Sequence, residues 1–92
     1  MAIVMIHDVG DGALAEYDQV ISALATAGQG QPPGRLSHVA ARKGTGYLVI
    51  DVWESQEDFD RFAQTLVPLL AQAGGSVPPP QIYPLHNAIA AG

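Results

Sequence analysis

The feature that most constrains the fold is the apolar run at residues 47–53, YLVIDVW. Its β-branched and aromatic residues favour a strand, and neither glycine nor proline interrupts it. A short loop with Gly44 and Gly46 separates this run from a second strand candidate at residues 36–42. Two such runs joined by a short glycine-bearing loop predict a β-hairpin.

The first part of the chain predicts a strand followed by a helix. Residues 3–7 form a continuous apolar run, which is typical of a strand buried on both faces. Apolar side chains then recur at spacings of three and four over residues 14–24, which predicts an amphipathic helix. We expect Asp11 to cap this helix and Gly28 to end it.

The last part of the chain predicts a second helix and a fourth strand. Ser55 is the expected N-cap of that helix, and Pro68 is expected to kink or break it. Residues 81–87 are the last strand candidate, in which Pro84 favours an edge position or an irregular pairing.

The predicted order is therefore β-α-β-β-α-β over one domain, residues 1–92. This order is typical of the ferredoxin-like split βαβ arrangement. It predicts an α+β fold in which a four-stranded antiparallel sheet carries both helices on one face.

Strand alternation divides the side chains of residues 47–53 between two faces. One face is purely aliphatic and is expected to lie under the helices: Leu48, Ile50 and Val52. The other face mixes aromatic, aliphatic and acidic groups: Tyr47, Val49, Asp51 and Trp53. We expect this mixed face to be the one that the helices leave bare and to line a largely apolar pocket.

Composition predicts a partner for that bare face. Hydrophobic residues make up 48% of the 92 residues and charged residues only 14%, so a monomer would have few charges to cover its surface. We therefore expect a homodimer. A net charge of −5 argues against nucleic acid and against an anionic membrane as partners. No cysteine is present, so disulfides and thiol chemistry are excluded, and a cytoplasmic protein is the expectation.

Three groups of residues resemble a known family. They are Gly34, Leu36 and His38–Ala40; then Asp51–Ser55 with Glu57, Phe59 and Phe62; then Pro84, His86 and Asn87. Together they are similar to the dimeric α/β-barrel proteins related to antibiotic biosynthesis monooxygenases and haem-degrading monooxygenases. The resemblance implies a dimer in which two sheets face each other and each protomer encloses a pocket.

His38 and Asp51 are the candidate catalytic residues. The unperturbed pKa of an imidazole lies near neutrality, so a histidine at position 38 could act as a general base. Asp51 lies in mid-strand among apolar residues and needs a partner, for which His38 and Arg42 are the candidates. An Asp–His pair would orient the imidazole. The alternatives are a structural buried histidine, and a carboxylate that faces water or the dimer contact.

Four further residues are candidates for binding a substrate: Trp53, Tyr47, His86 and Asn87. Trp53 and Tyr47 could form the wall of a pocket for a flat ligand, or they could pack in the dimer interface. His86 and Asn87 match the C-terminal pattern of the family, and the alternative for His86, as for His7, is a structural or exposed role. No pair of histidines has a metal-binding spacing, so no metal site is predicted.

The resemblance implies a cofactor-independent monooxygenase-like enzyme that acts on an aromatic or polyketide-like small molecule. In such an enzyme His38 would deprotonate a phenol and the resulting carbanion would react with dioxygen, with no cofactor. The alternative is a ligand-binding or sensing domain of the same fold without turnover. Haem degradation is disfavoured, because the second helix lacks the histidine and the second tryptophan of the haem-degrading relatives.

Overall fold

Four strands and two helices follow one another in the predicted order. The structure is a computed structural model that describes residues 1–12, 14–74 and 78–90. Its elements are β1 (Ile3–Val9), α1 (Leu14–Thr26), β2 (Arg35–Lys43), β3 (Gly46–Trp53), α2 (Gln56–Gln72) and β4 (Gln81–Pro84). Compared with the prediction, β1 continues to Val9, and β4 stops at Pro84 instead of continuing to residue 87.

The strands form one antiparallel sheet in the order β2-β3-β1-β4. β2 and β3 form the predicted hairpin, in which Lys43 pairs with Gly46 across a two-residue turn. Gly44 has a φ of +57°, which a type II′ turn requires at its first central position. β4 is an edge strand, as the proline at its end predicted.

Backbone capping explains where the helices end. Gly28 has a φ of +78°, and the amides of Gly28 and Gln29 donate to the carbonyls of Ala25 and Leu24, which is a Schellman motif. The predicted cap Asp11 precedes Ala13, which lies outside the described residues, so that prediction is not tested. Neither of the helices described here is long and apolar enough to cross a bilayer.

The second helix is capped as predicted but is not broken at its proline. The Asp58 amide donates to Ser55 Oγ over 3.2 Å. α2 continues through Pro68 to Gln72, so of the two outcomes expected there, a kink or a break, the break does not occur. Pro68 lacks only the N–H that would bond the carbonyl of Gln64, and both residues are exposed, so water can satisfy that carbonyl.

The mixed face of the sheet lies under the helices, which reverses the prediction. Trp53 is fully buried in a core that packs the sheet against both helices; its members include Met5, Val20, Leu24 and Phe62. Asp51 and Tyr47 are buried on the same side as Trp53. Along β3, alternation predicted correctly which residues share a face. That one of the two faces is purely aliphatic did not indicate which face the helices cover.

A β-bulge at Leu36 changes the phase of the second strand. Arg35 pairs with Trp53, whereas Ser37 pairs with Val52, so Leu36 is the extra residue. Leu36 is exposed, although plain alternation placed it on the same face as His38. The bulge instead brings Arg35 to the helix side of the sheet.

Candidate active site

A cavity of about 520 Å³ lies between the sheet and the two helices. Its volume lies within the usual range of small-molecule sites, about 300–1,000 Å³. Apolar side chains of both helices form most of its wall, and residues 78–80 close part of it. The ionisable and polar side chains on the wall are His7, Tyr17, Arg35, His38, Tyr47 and Asp51.

Three of these side chains form a hydrogen-bonded chain. His38 on β2 and Asp51 on β3 are directly opposite each other in the sheet, and the Asp51 carboxylate binds His38 Nδ1. Tyr17 on α1 reaches the other ring nitrogen, with 2.6 Å between its hydroxyl oxygen and His38 Nε2. The Tyr17 and His38 rings are parallel, with 6.0 Å between their centroids. The sequence prediction that Asp51 pairs with His38 is confirmed as a contact.

The partners of His38 determine its neutral tautomer. The carboxylate accepts the hydrogen from Nδ1, so Nε2 is left as an acceptor and the Tyr17 hydroxyl donates to it. Burial raises the pKa of Tyr17, and the negative charge of Asp51 raises it further. Tyr17 is therefore a neutral phenol at pH 7. It can pass its proton to His38 as it accepts one from a ligand.

Arg35 adds the one guanidinium among the described residues that line the cavity. Its Nη2 donates to the carbonyl of Gly30 over 2.9 Å, and its charge lies 6.0 Å from the centre of the Phe62 ring. Arg35 also lowers the pKa of Tyr17, although burial and Asp51 outweigh it. A guanidinium has five donors, so several stay available for an anionic oxygen.

His7 and Tyr47 are also on the cavity wall, outside the hydrogen-bonded chain. Burial lowers the pKa of His7, and the charge of Asp51 opposes that effect only in part, so the imidazole is neutral at pH 7. The His7 ring lies against Phe59, with 6.2 Å between ring centroids. Burial raises the pKa of Tyr47, and Glu16 adds to the increase. The sequence placed Tyr47 on the same face as Asp51, and it lines the cavity.

The remaining predicted site residues lie away from the cavity wall. Trp53 is fully buried behind Phe59 and Phe62, with ring centroids 5.6 Å and 5.4 Å away, and it is not a lining residue. Its Nε1 has no hydrogen-bond partner among the described residues. His86 and Asn87 are exposed in the segment that follows β4. Their predicted contact with a ligand stays a prediction.

No candidate metal centre occurs within residues 1–12, 14–74 and 78–90, where no group of three or more acidic or histidine side chains could hold an ion. His38 and His7 are on β2 and β1, separated by β3, and His86 lies beyond β4.

Sequence reasoning missed Tyr17 and Arg35 as site residues. Tyr17 was assigned to the apolar stripe of the first helix, where its hydroxyl was the one polar atom. Arg35 lay outside the strand candidate at residues 36–42, and nothing in the local pattern indicates the bulge at Leu36. The hydroxyl in the aliphatic stripe was the signal that could have identified Tyr17.

The sheet order and the two helices on one face define a ferredoxin-like α+β protein, and this chain has the fold of the antibiotic biosynthesis monooxygenase-like proteins. An antibiotic biosynthesis monooxygenase-like protein from Chloroflexus aurantiacus is 17% identical, with a TM-score of 0.70 over 100% of both chains. SnoaB, a cofactor-independent oxygenase from Streptomyces nogalater, is 22% identical, with a TM-score of 0.62 over 98% of this chain and 96% of its own. A similar protein from Deinococcus radiodurans is 17% identical, with a TM-score of 0.57 over 100% of this chain and 99% of its own. No protein-family model and no curated protein sequence matches this chain.

Proposed function

We propose that this protein is a cofactor-independent oxygenase that oxidises a planar phenol with dioxygen. The observation that carries the proposal is the chain Asp51–His38–Tyr17, which opens on a largely apolar cavity beside a guanidinium. The similarity of the fold to SnoaB, an oxygenase that needs no cofactor, supports the same chemistry. Fold alone does not determine function, so the proposal depends on the residues of the cavity.

The proposed reaction begins with proton transfer from the ligand. The phenol gives its proton to the Tyr17 oxygen while the Tyr17 proton moves to His38 Nε2, and Asp51 stabilises the imidazolium that forms. The negative charge on the ligand oxygen is stabilised by Arg35. This part of the cycle moves one proton and needs no oxidant.

Dioxygen then reacts with the electron-rich ring. An electron pair from the ring carbon opposite the phenolate oxygen forms a bond with one oxygen atom, and the peroxide takes up a proton. Loss of the hydrogen from that carbon breaks the O–O bond, and a quinone and one water molecule are released. Phenol plus dioxygen gives quinone plus water, so atoms and electrons balance.

The apolar wall supports this chemistry in two ways. Most of the lining is hydrocarbon, which suits a flat aromatic ligand and strengthens the electrostatic effect of Arg35. A flat ligand that fills this lining would displace water from around the phenolate and the peroxide.

We also expect the protein to be a homodimer, in which the aliphatic face of the sheet is covered by a second copy. The centre of that face is the row Ile6, Ile50 and Val39, one residue from each of three neighbouring strands. Val39 is 57% exposed in the single chain. A dimer would remove this row from water, which a chain with few charged residues favours.

Oxygen uptake with 1-naphthol tests the proposed function. The wild type is expected to bind it, with a change in the fluorescence of Trp53, the only tryptophan, and to form 1,4-naphthoquinone with one equivalent of oxygen. His38→Gln is expected to lower kcat by about 10²–10⁴-fold. The matched control is Arg42→Gln, an exposed residue of the same strand outside the lining, which is expected to keep the wild-type rate.

Two outcomes would contradict the proposal. Binding without oxygen uptake, for 1-naphthol and for larger planar phenols, would favour the alternative of a ligand-binding domain without turnover. A full rate in His38→Gln would show that the imidazole does not take part in proton transfer.

A further inference from the structure

We propose that His7 is a second base of this site, which removes the hydrogen from the ring carbon of the ligand. The inference rests on the proposed function, because that reaction needs two proton transfers at different atoms. The chain that ends in Tyr17 serves the ligand oxygen. The hydrogen on the oxygenated carbon needs a separate acceptor on another part of the wall.

The position of His7 in the sheet suits that task. His7 is on β1 and His38 is on β2, with β3 between them. Two strand spacings of about 4.8 Å place these strands roughly 10 Å apart. Tyr17 and His38 form one side of the cavity with α1, whereas His7 lies against Phe59 of α2. A flat ring between the two sides would present its oxygen to Tyr17 and the opposite carbon to His7.

The chemical state of His7 also suits a base. None of the side-chain hydrogen bonds among the described residues involves His7. Burial keeps the imidazole neutral, so a ring nitrogen is free to accept a proton. The negative charge of Asp51 raises the pKa of His7, so it stabilises the imidazolium once His7 has taken up a proton.

The proton transfer completes the elimination step. His7 takes the hydrogen nucleus from the carbon that bears the peroxide, and the C–H electron pair becomes the second bond of the new carbonyl. The O–O bond breaks, and the departing hydroxide takes the proton from the His7 imidazolium and leaves as water, because the His38 proton has already gone to the peroxide. A structural role, in which His7 only packs on Phe59, predicts none of this.

The test compares wild type with His7→Phe, which keeps a flat ring against Phe59 and removes the base. With 4-deuterio-1-naphthol, the variant is expected to show a primary kinetic isotope effect on quinone formation that is larger than in the wild type. Oxygen uptake is expected to exceed quinone formation in the variant, because the peroxide accumulates. His7→Gln is the second variant, and ligand-dependent fluorescence of Trp53 shows that each variant is folded and binds.

A measurement without oxygen separates the two proposals. In deuterated water under nitrogen, deuterated His7 is expected to give a deuteron to C4 of the bound naphtholate, and the neutral imidazole then removes the proton from that carbon. NMR follows this exchange at C4, which is expected to slow at least tenfold in His7→Phe. If the exchange depends on His7 but the wild type consumes no oxygen in air, the proposed oxygenase is contradicted and the second base is supported. Equal exchange, together with equal isotope effects and a one-to-one ratio of oxygen to quinone in both proteins, would overturn the inference about His7.

Discussion

Replacing Tyr17 by Phe removes one oxygen atom and keeps the ring that stacks on His38. The lost contact is the 2.6 Å hydrogen bond to His38 Nε2. A neutral hydrogen bond contributes about 0.5–1.5 kcal/mol to stability. The His38 side chain is 20% exposed, so water can replace the hydroxyl and the loss is expected at the lower end of that range. For a domain of this size the melting temperature then falls by roughly 2–5 °C.

The effect on turnover is expected to be much larger than the effect on stability. In the proposed reaction the Tyr17 hydroxyl relays the proton from the ligand to His38 Nε2, so its removal is expected to interrupt that transfer. Loss of a positioned acid–base group lowers kcat by about 10²–10⁴-fold. The phenyl ring that remains still forms part of the wall, so binding of 1-naphthol and its KM are expected to change little.

Tyr47→Phe is the matched comparison. Tyr47 also lines the cavity, and its ring centroid lies 5.7 Å from that of Tyr17, but its hydroxyl is not bonded to His38. We expect at most a change in KM that corresponds to one hydrogen bond, roughly 2–10-fold, with kcat largely kept. Steady-state oxygen uptake with 1-naphthol measures both variants. A Tyr17→Phe protein with wild-type kcat, or equal losses in the two variants, would refute the relay.

Three further predictions concern stability, pH and assembly. Gly46→Ala is expected to destabilise the fold by about 1–3 kcal/mol in urea unfolding, because its methyl group would overlap the carbonyl oxygen of Val9. In the control Gly10→Ala the methyl group meets no atom within 4 Å, so the stability is expected to stay close to that of the wild type. Similar losses in the two variants would contradict this account. Burial lowers the pKa of His7, so as the pH falls the unfolded chain takes up a proton on His7 before the folded protein does. The free energy of unfolding is therefore expected to decrease as the pH falls below 6.5, the pKa of His7 in the unfolded chain, and to level off below its pKa in the folded protein. That decrease should be smaller in His7→Phe, and an unchanged pH profile would show that His7 is not its source. The wild type is expected to sediment at twice 9.6 kDa and Ile50→Lys closer to 9.6 kDa, whereas a monomeric wild type at micromolar concentration would disprove the dimer.

Local patterns predicted most of the fold, because they act over short stretches of chain. The hairpin around Gly44 depends on two residues that must turn the chain. Ser55 caps α2 through a contact with Asp58, only three residues away. Where a local rule failed, the surroundings compensated: Pro68 stays within α2, because the carbonyl that it leaves unbonded is at the surface.

The candidate site was predictable only in part. Alternation placed Tyr47 and Asp51 on one face, and the need of a buried carboxylate for a partner left His38 and Arg42 as candidates. The register and the side-chain contact show that the partner is His38. The wrong face was assigned to the helices, because a purely aliphatic surface fits a helix layer and a subunit interface equally well. A mixed surface suits the inside of a protein when its polar groups bond to one another.

Strand and helix periodicities are local properties of the chain, so the order of the elements, the hairpin and the residues that share a face with Asp51 could be read from local patterns. Long-range packing sets which face the helices cover, and it brings Tyr17 of α1 to His38 of β2. It also decided, through a one-residue bulge, that Arg35 lines the cavity and Leu36 does not. These contacts join segments that are distant in sequence, and their geometry depends on how the helices pack on the twisted sheet, which no local pattern encodes.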